Sequence, residues 1–427
     1  MHTTKLTSEA ALSLFKKVYM GEAPTENIEH ILVGRESEIA SLLDALNDTR
    51  SGGHTMKFIV GPYGSGKTTF LNVTRSYAIE DHFVCASATL LLCPLTSRRV
   101  YSMLMNSLSV SLPDIINTLV EKIGAKDLPE VLGAIRMENS RYFTMAILRY
   151  LDAVREENKP LAQDALNWLR GEYRTITEAR SELGIQCTIT DGNWYSMLKV
   201  FTRVLVLAGF SGLCVLLDEV SSLYALPNST MRGNNFTKLQ SIYSDNAHYG
   251  AGHMLFLVAG TKEFIEDSRR GLASSPALYS RICEQSDGHG QDYSQTIMRL
   301  HTLSQQELYT LLSQLKAIEA IGNGQEPIDE ADEGIDNDVV AFLSELNAQP
   351  GGLRMVTPRE ATRKFCHALY LLRNTDGKSS DELYKEVANM EDKAIIVPTE
   401  LTADDNENSE PASHMAEEES PSNIEIR

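Results

Sequence analysis

The chain has 427 residues, 42% of them hydrophobic, with six cysteines and a formal net charge of −19. That length supplies two or three domains with ample buried core. The acidic balance argues against a strong sequence-independent grip on nucleic acid by this chain alone, because such binding rests on Lys and Arg neutralising phosphates. Cys85, Cys93, Cys187, Cys214, Cys283 and Cys366 form no C-x-x-C pair, so reduced thiols are expected rather than a zinc site. With no signal-like start and no apolar run of membrane-spanning length, a cytoplasmic protein without membrane contact is expected.

Residues 8–20 place apolar positions at helical spacing behind a serine, which predicts a short helix. A breaker at Gly21–Pro24 leads to Val33-Gly34-Arg35-Glu36, and Ile39, Leu42, Leu43 and Leu46 then predict an amphipathic helix. Residues 57–60 read as the first strand, 66–80 as the first helix after it and 82–89 as a second strand. Five helical patterns follow, at 98–111, 113–123, 139–155, 160–171 and 192–208, more than a single crossover needs. Strands at 213–217, 254–259 and 295–300 alternate with a helix near 235–247. Ser304 and Glu307 form a capping box that opens a helix. An acidic loop at 322–336 and helices at 337–347 and 358–373 complete a small helical lid. Residues 376–427 carry 15 acidic and 4 basic side chains, and apart from a short helix at 380–390 they read as a disordered tail.

The order strand, glycine-rich loop, helix occurs at Lys57–Leu71, with the spacing G-x-x-x-x-G-K-T from Gly61 to Thr68. Gly61, Gly64 and Gly66 let successive backbone N–H groups approach a phosphate chain, and the helix that starts there turns its positive dipole end to the same anion. Pro62, Tyr63 and Ser65 complete the loop. Lys67 is placed to reach the β- and γ-phosphates, Thr68 to hold Mg²⁺ and Thr69 to bind on the α-phosphate side. Further on, Leu213–Leu217 runs into Asp218-Glu219. A strand buried on both faces delivers a carboxylate to its C-terminal edge, where Asp218 is expected to hold Mg²⁺ and Glu219 to polarise an attacking water. The chemistry expected is therefore ATP binding and hydrolysis.

The segments "GEAPTENIEHILVGRESEI", "FIVGPYGSGKTTFL", "GLCVLLDEVSSLYALPNS", "GTKEFIEDSRRGLASSPALYSRI" and "PGGLRMVTPRE" together resemble the ATP-binding family of BREX-type phage-defence clusters, whose layout is similar to initiator-type AAA+ ATPases. The resemblance spans about residues 10–373. It implies an α/β P-loop NTPase of AAA+ type, a five-stranded parallel sheet flanked by helices, with a helical insertion and a C-terminal helical lid. On this reading residues 1–90 and 211–300 form the nucleotide-binding core, 91–210 the insertion, 301–375 the lid and 376–427 the tail. The resemblance further implies that Thr261 senses the γ-phosphate, that Arg281 reaches a neighbouring subunit's site as an arginine finger, and that Arg359, with Arg354 as second choice, approaches the γ-phosphate from the lid. Lys262 and the SSPALYSR stretch depart from the family's usual residues and bear on Arg281 in particular. Helicase-like or DNA-modifying proteins of a bacterial antiviral system are the implied partners, with a homo-oligomer and DNA contact as further expectations. A scaffold gated by ATP with little turnover is the alternative to a motor or switch.

Overall fold

Four segments are rich in apolar residues, as strands covered on both faces require. They are β1 (His54–Val60), β2 (Phe83–Thr89), β3 (Gly212–Asp218) and β4 (Met254–Gly260), and a short β5 (Ile297–Arg299) joins them. All pair in parallel, in the order β2-β3-β4-β1-β5. The structure is a computed structural model that describes residues 6–91, 93–245, 250–283, 295–325, 336–349, 351–354, 356–374 and 378–391. Most of the expected 376–427 tail, from residue 392 onward, and most of the expected acidic loop lie outside the described residues.

The remaining elements, in chain order, are α1 (Ser8–Met20), α2 (Glu36–Arg50), α3 (Lys67–Glu80), α4 (Arg99–Asn106), α5 (Leu112–Ile123), α6 (Leu128–Gly133), α7 (Ser140–Arg155), α8 (Lys159–Leu169), α9 (Ile176–Leu183), α10 (Trp194–Ala208), α11 (Ser221–Ala225), α12 (Ser229–Tyr243), α13 (Lys262–Glu266), α14 (Pro276–Ile282), α15 (Gln305–Gly322), α16 (Asn337–Asn347), α17 (Pro358–Asn374) and α18 (Ser380–Ala388). Alternate residues of each strand point to opposite faces. Ile59, Cys85, Cys214, Leu216, Leu255 and Leu257 meet α2 and α3 on one face. Phe58, Val84, Val215 and Phe256 join a single continuous core with the helices between β2 and β3 on the other.

Only part of that helical segment covers the sheet. α4 lies on β2 and α10 on β3, with α5 against α10, whereas α6, α7, α8 and α9 stack on one another farther out. Phe143 anchors that stack, its ring centroid 6.3 Å from Trp168 and 6.2 Å from Phe201. The helix expected over 98–111 stops at Asn106 because the next residues serve β2, one of the two edge strands. Ser107 Oγ accepts from Ser87 N and donates to Ser87 O at 2.7 Å, and Ser109 accepts from Cys85 N at 2.9 Å, so the open strand edge is covered. The short α6 and α9, 6 and 8 residues long, span too few turns for a periodic signal and were not anticipated.

Helices α15, α16 and α17 share a second core with two helices from the ends of the described chain. Leu14, Phe15 and Tyr19 of α1 and Tyr384 and Val387 of α18 lie among Leu312, Phe342 and Phe365. Tyr19 hydroxyl is 2.6 Å from His367 Nδ1 at this seam. The division at residues 90, 300 and 375 thus separates helices that pack together, since amphipathic spacing shows that a face is buried but not against what. Among the described residues no helix is long and apolar enough to cross a membrane.

This shared core carries a consequence for stability. Leu14 is 2% exposed, and Leu14→Ala should cost about 2–5 kcal/mol by the cavity it leaves. Hydrogen exchange is expected to accelerate in α15 and α17 and to stay unchanged in β1 and β4. Acceleration confined to α1 would show that α1 is not part of this core.

Candidate functional site

Because every strand is parallel, the C-terminal ends of β1, β3 and β4 share one edge of the sheet, and the chain leaving each end builds the site. Gly61–Gly66 connect β1 to α3, with Gly64 and Gly66 in the left-handed region at φ 76° and 91°. A Cβ on Gly64 would lie 2.8 Å from Thr357 Oγ1, while one on Gly66 would meet nothing within 4 Å. The loop is thus backed by the lid at Gly64 and open above Gly66, next to the first amides of α3, where an anion binds best. Lys67, 9% exposed, donates through Nζ to Gly61 O at 3.0 Å and Pro62 O at 2.8 Å. Burial pushes its ammonium below the usual lysine range, opposed by the charges of Glu219, Asp218 and Glu263.

Thr68 Oγ1 donates to Asp218 Oδ2 at 2.7 Å, and Asp218 Oδ1 accepts the Glu219 N–H at 2.8 Å. A hydroxyl and a carboxylate side by side are hard oxygen donors of the kind Mg²⁺ takes when most of its remaining ligands are waters and phosphate oxygens. Glu219 has φ 54°, a conformation that costs a non-glycine residue about 1 kcal/mol or more and is found mainly where function requires it. Glu219 lines the same cleft as Lys67, Thr68 and Thr69.

That cleft encloses about 280 Å³. Away from the loop, its walls are Pro24, Ile31 and Val33 before α2 and Leu303, Leu311 and Leu315 from the lid. An apolar slot beside a phosphate cradle suits a flat nucleobase. Pro62 and Tyr63 form the outer turn of the loop; the Tyr63 ring is 66% exposed and its centroid lies 5.3 Å from Lys67 Nζ. Ser65 is buried, and its hydroxyl has no partner among the described residues.

The remaining expected residues fall in different places. Thr261, at the tip of β4, is buried and donates its N–H to Ser221 Oγ at 2.8 Å. The backbone N–H of Glu263 itself, and then the Thr261 hydroxyl, hold the Glu263 carboxylate below the usual range, with Lys67 among the charges that favour its ionised form. Arg359 opens α17 and lines the cleft: its N–H donates to Gly64 O at 3.3 Å, and its Nε lies 3.0 Å from where a Cβ on Gly21 would be. Arg281 is not brought to this site. It donates to Ser244 Oγ, and its carbonyl accepts from Tyr243 hydroxyl at 3.1 Å. Tyr243 in turn bonds Thr296, just before β5, so Arg281 sits at the opposite, N-terminal edge of the sheet.

Two site residues were not anticipated. Glu263 sits in the Gly-Thr-Lys-Glu-Phe block, and nothing in the string says that its carboxylate accepts from the Thr261 hydroxyl. Arg35 is 7% exposed and donates to Ser65 O at 3.3 Å, Glu38 Oε1 at 3.1 Å and His301 O at 2.9 Å. Its Val-Gly-Arg-Glu setting was visible, whereas contacts to residues 30 and 266 positions away were not.

The family model described as BREX system ATP-binding protein BrxC/D matches residues 7–124 and 117–388. A solved structure of the Aeropyrum pernix ORC2 protein, with ADPNP and ADP, is similar at 16% identity with a TM-score of 0.45, covering 86% of this chain and 70% of its own. No curated protein sequence matches the chain.

The loop geometry predicts the effect of one methyl group. Gly64→Ala places a Cβ at a positive φ, at about 1–2 kcal/mol, and against Thr357. Titration with a fluorescent ATP analogue should show weaker binding by about tenfold, an effect of similar size. Unchanged affinity would mean that the Thr357 segment moves freely off the loop.

Proposed function

Because the chain belongs to the BREX system ATP-binding protein BrxC/D family, we propose that it binds ATP in the cleft and hydrolyses it to ADP and phosphate, acting as a motor or switch in an antiphage defence complex. The observation that carries this is the chain of contacts Thr68–Asp218–Glu219 beside a phosphate loop with its lysine in place. Thr68 and Asp218 would hold Mg²⁺, which supplies charge neutralisation on the phosphate oxygens. Lys67 and the loop amides bind and orient the phosphates, Thr69 completes the α-phosphate side, and the apolar slot seats the base while excluding water.

Glu219 accepts a hydrogen bond from the attacking water and aligns it for in-line attack. Thr261 and Glu263 order the opposite side of the γ-phosphate position. Arg359, at the lid–loop contact, reports the phosphate state to the lid. Arg281, held away from its own site on Ser244, would leave that contact to serve a second copy of the chain. Helicase-like or DNA-modifying proteins of the defence system are the partners in this reading, and DNA contact is local at most, given the acidic surface.

Phosphate-release assays with and without DNA provide the test. Glu219→Gln should keep ATP binding and lower turnover by about 100-fold or more, while Lys67→Ala should lose binding. Equal and negligible rates in wild type and Glu219→Gln, with binding intact, would instead favour an ATP-gated scaffold.

The trans role of Arg281 has its own measurement. Light scattering of Glu219→Gln with ATP should show an oligomer, and adding Arg281→Ala should leave that oligomer intact while Arg281→Ala alone abolishes turnover. A monomer under these conditions would end the trans assignment.

A further inference from the structure

Arg35 is a buried charge beside the cleft with several partners, and its contacts form a continuous chain. It joins the Ser65 carbonyl, the fully buried Glu38 carboxylate and the His301 carbonyl. His301 Nδ1 lies 3.0 Å from Glu38 Oε1, and its Nε2 lies 3.3 Å from Glu307 Oε1. Glu307 Oε2 accepts the Ser304 N–H at 2.6 Å as part of the α15 capping box. Gly34, at φ 65°, leaves room for this crossing, since a Cβ there would lie 2.2 Å from Glu307 Oε1. The second Glu38 oxygen is buried with no partner among the described residues.

We propose that Arg35 is a positioning residue for the phosphate loop: by holding the Ser65 carbonyl it fixes the orientation of the Ser65–Gly66 peptide. The C=O of Ser65 and the N–H of Gly66 belong to one planar trans unit and point in opposite directions. Fixing the carbonyl towards Arg35 therefore aims the Gly66 N–H the other way, towards the phosphates. The peptide needs such a restraint, because Gly66 at φ 91° has no Cβ to resist a flip. Glu38 and His301 hold the guanidinium in place, and Glu307 extends the restraint to the start of the lid.

A buried Arg–Glu pair gains little net stability over apolar side chains of the same volume. Its place beside the loop thus reflects orientation more than cohesion. The assignment rests on the nucleotide-binding reading and is specific about which part of the nucleotide it affects. A misdirected Gly66 amide loses contact with the β-phosphate and leaves the base slot intact.

The test compares ATP, ADP and AMP affinities in wild type, in the double variant Arg35→Met/Glu38→Leu and in His301→Ala. The double variant removes both charges together, so no lone buried ion compromises folding. It is expected to lose about tenfold in ATP and ADP affinity with AMP affinity unchanged, and the phosphorus NMR resonance of the ADP β-phosphate should move towards its free position. His301→Ala should change the same quantities in the same direction and by less. Unchanged ADP affinity in the double variant, or an equal loss for AMP, overturns the assignment. Failure of the wild type to bind ATP would overturn both this assignment and the nucleotide reading, whereas wild-type binding with indifferent variants overturns the role of Arg35 alone.

Discussion

The site depends on β4 lying between the two strands that carry its chemistry. β1 and β3 are not neighbours; each pairs with β4, in registers that set Val60 beside Gly260 and Leu217 beside Val258. The chain leaving each strand is then attached once more to the same template. Gly61 N donates to Gly260 O at 3.2 Å, and Val220 N donates to Ala259 O at 3.2 Å. The loop and the carboxylate pair therefore start from fixed points, and Thr68 can reach Asp218 across the end of β4. That crossing requires a small residue below it. A Cβ on Gly260 would already press on Phe264 at 3.0 Å and Val220 at 3.1 Å.

Such a template makes local strain affordable at Glu219. Its left-handed backbone is held by the Asp218 side chain on its N–H and by Ser222 N donating to its carbonyl at 3.0 Å. Two hydrogen bonds worth roughly 1 kcal/mol each offset a conformational cost of the same order. Asp218 thereby has two tasks, one oxygen facing Thr68 and the other fixing the residue that follows. The Asp-Glu order follows from this: the first carboxylate orients the backbone that presents the second.

Much of this was legible in the chain because it is local. Gly61–Thr69 and Leu213–Glu219 are short strings whose residue types are each dictated by one contact with phosphate, metal or water, and the strands beside them are marked by the apolar runs Phe58–Val60 and Leu213–Leu217. The parallel sheet is what the family resemblance implies, and the strands pair as it leads one to expect. What sequence could not provide was pairing over distance. α1 and α18 displayed amphipathic faces without revealing that both join the lid core. Ser107 and Ser109 were read as the end of a helix, although they cover the edge of β2. The family resemblance makes Arg281 an arginine finger, but nothing near it in sequence announces its bond to Ser244 at the far edge of the sheet. Arg35 had a recognisable motif but an unpredictable partner, since nothing near it in sequence announces a bond to the Ser65 carbonyl.

The cleft is shared between two bodies, and this sets how nucleotide and lid can influence each other. Its floor belongs to the sheet, but Leu311 and Leu315 of α15 and Pro358, Arg359 and Thr362 of α17 are wall residues, and both helices pack on α1. α1 ends at Gly21, where the side chains of Arg359 and Arg363 crowd the backbone and Arg363 Nε donates to Tyr19 O at 3.2 Å. The following turn returns to the core, with Asn72 Nδ2 donating to Pro24 O at 2.8 Å. One side of the base slot thus hangs between the lid and α3, the helix that begins at the phosphate loop. A rigid shift of the lid cannot occur without changing the slot, the Gly64–Thr357 contact and the Arg35–His301–Glu307 chain together. Binding that favours one lid position must do so through the difference in contacts between positions, and these three are where that difference lies.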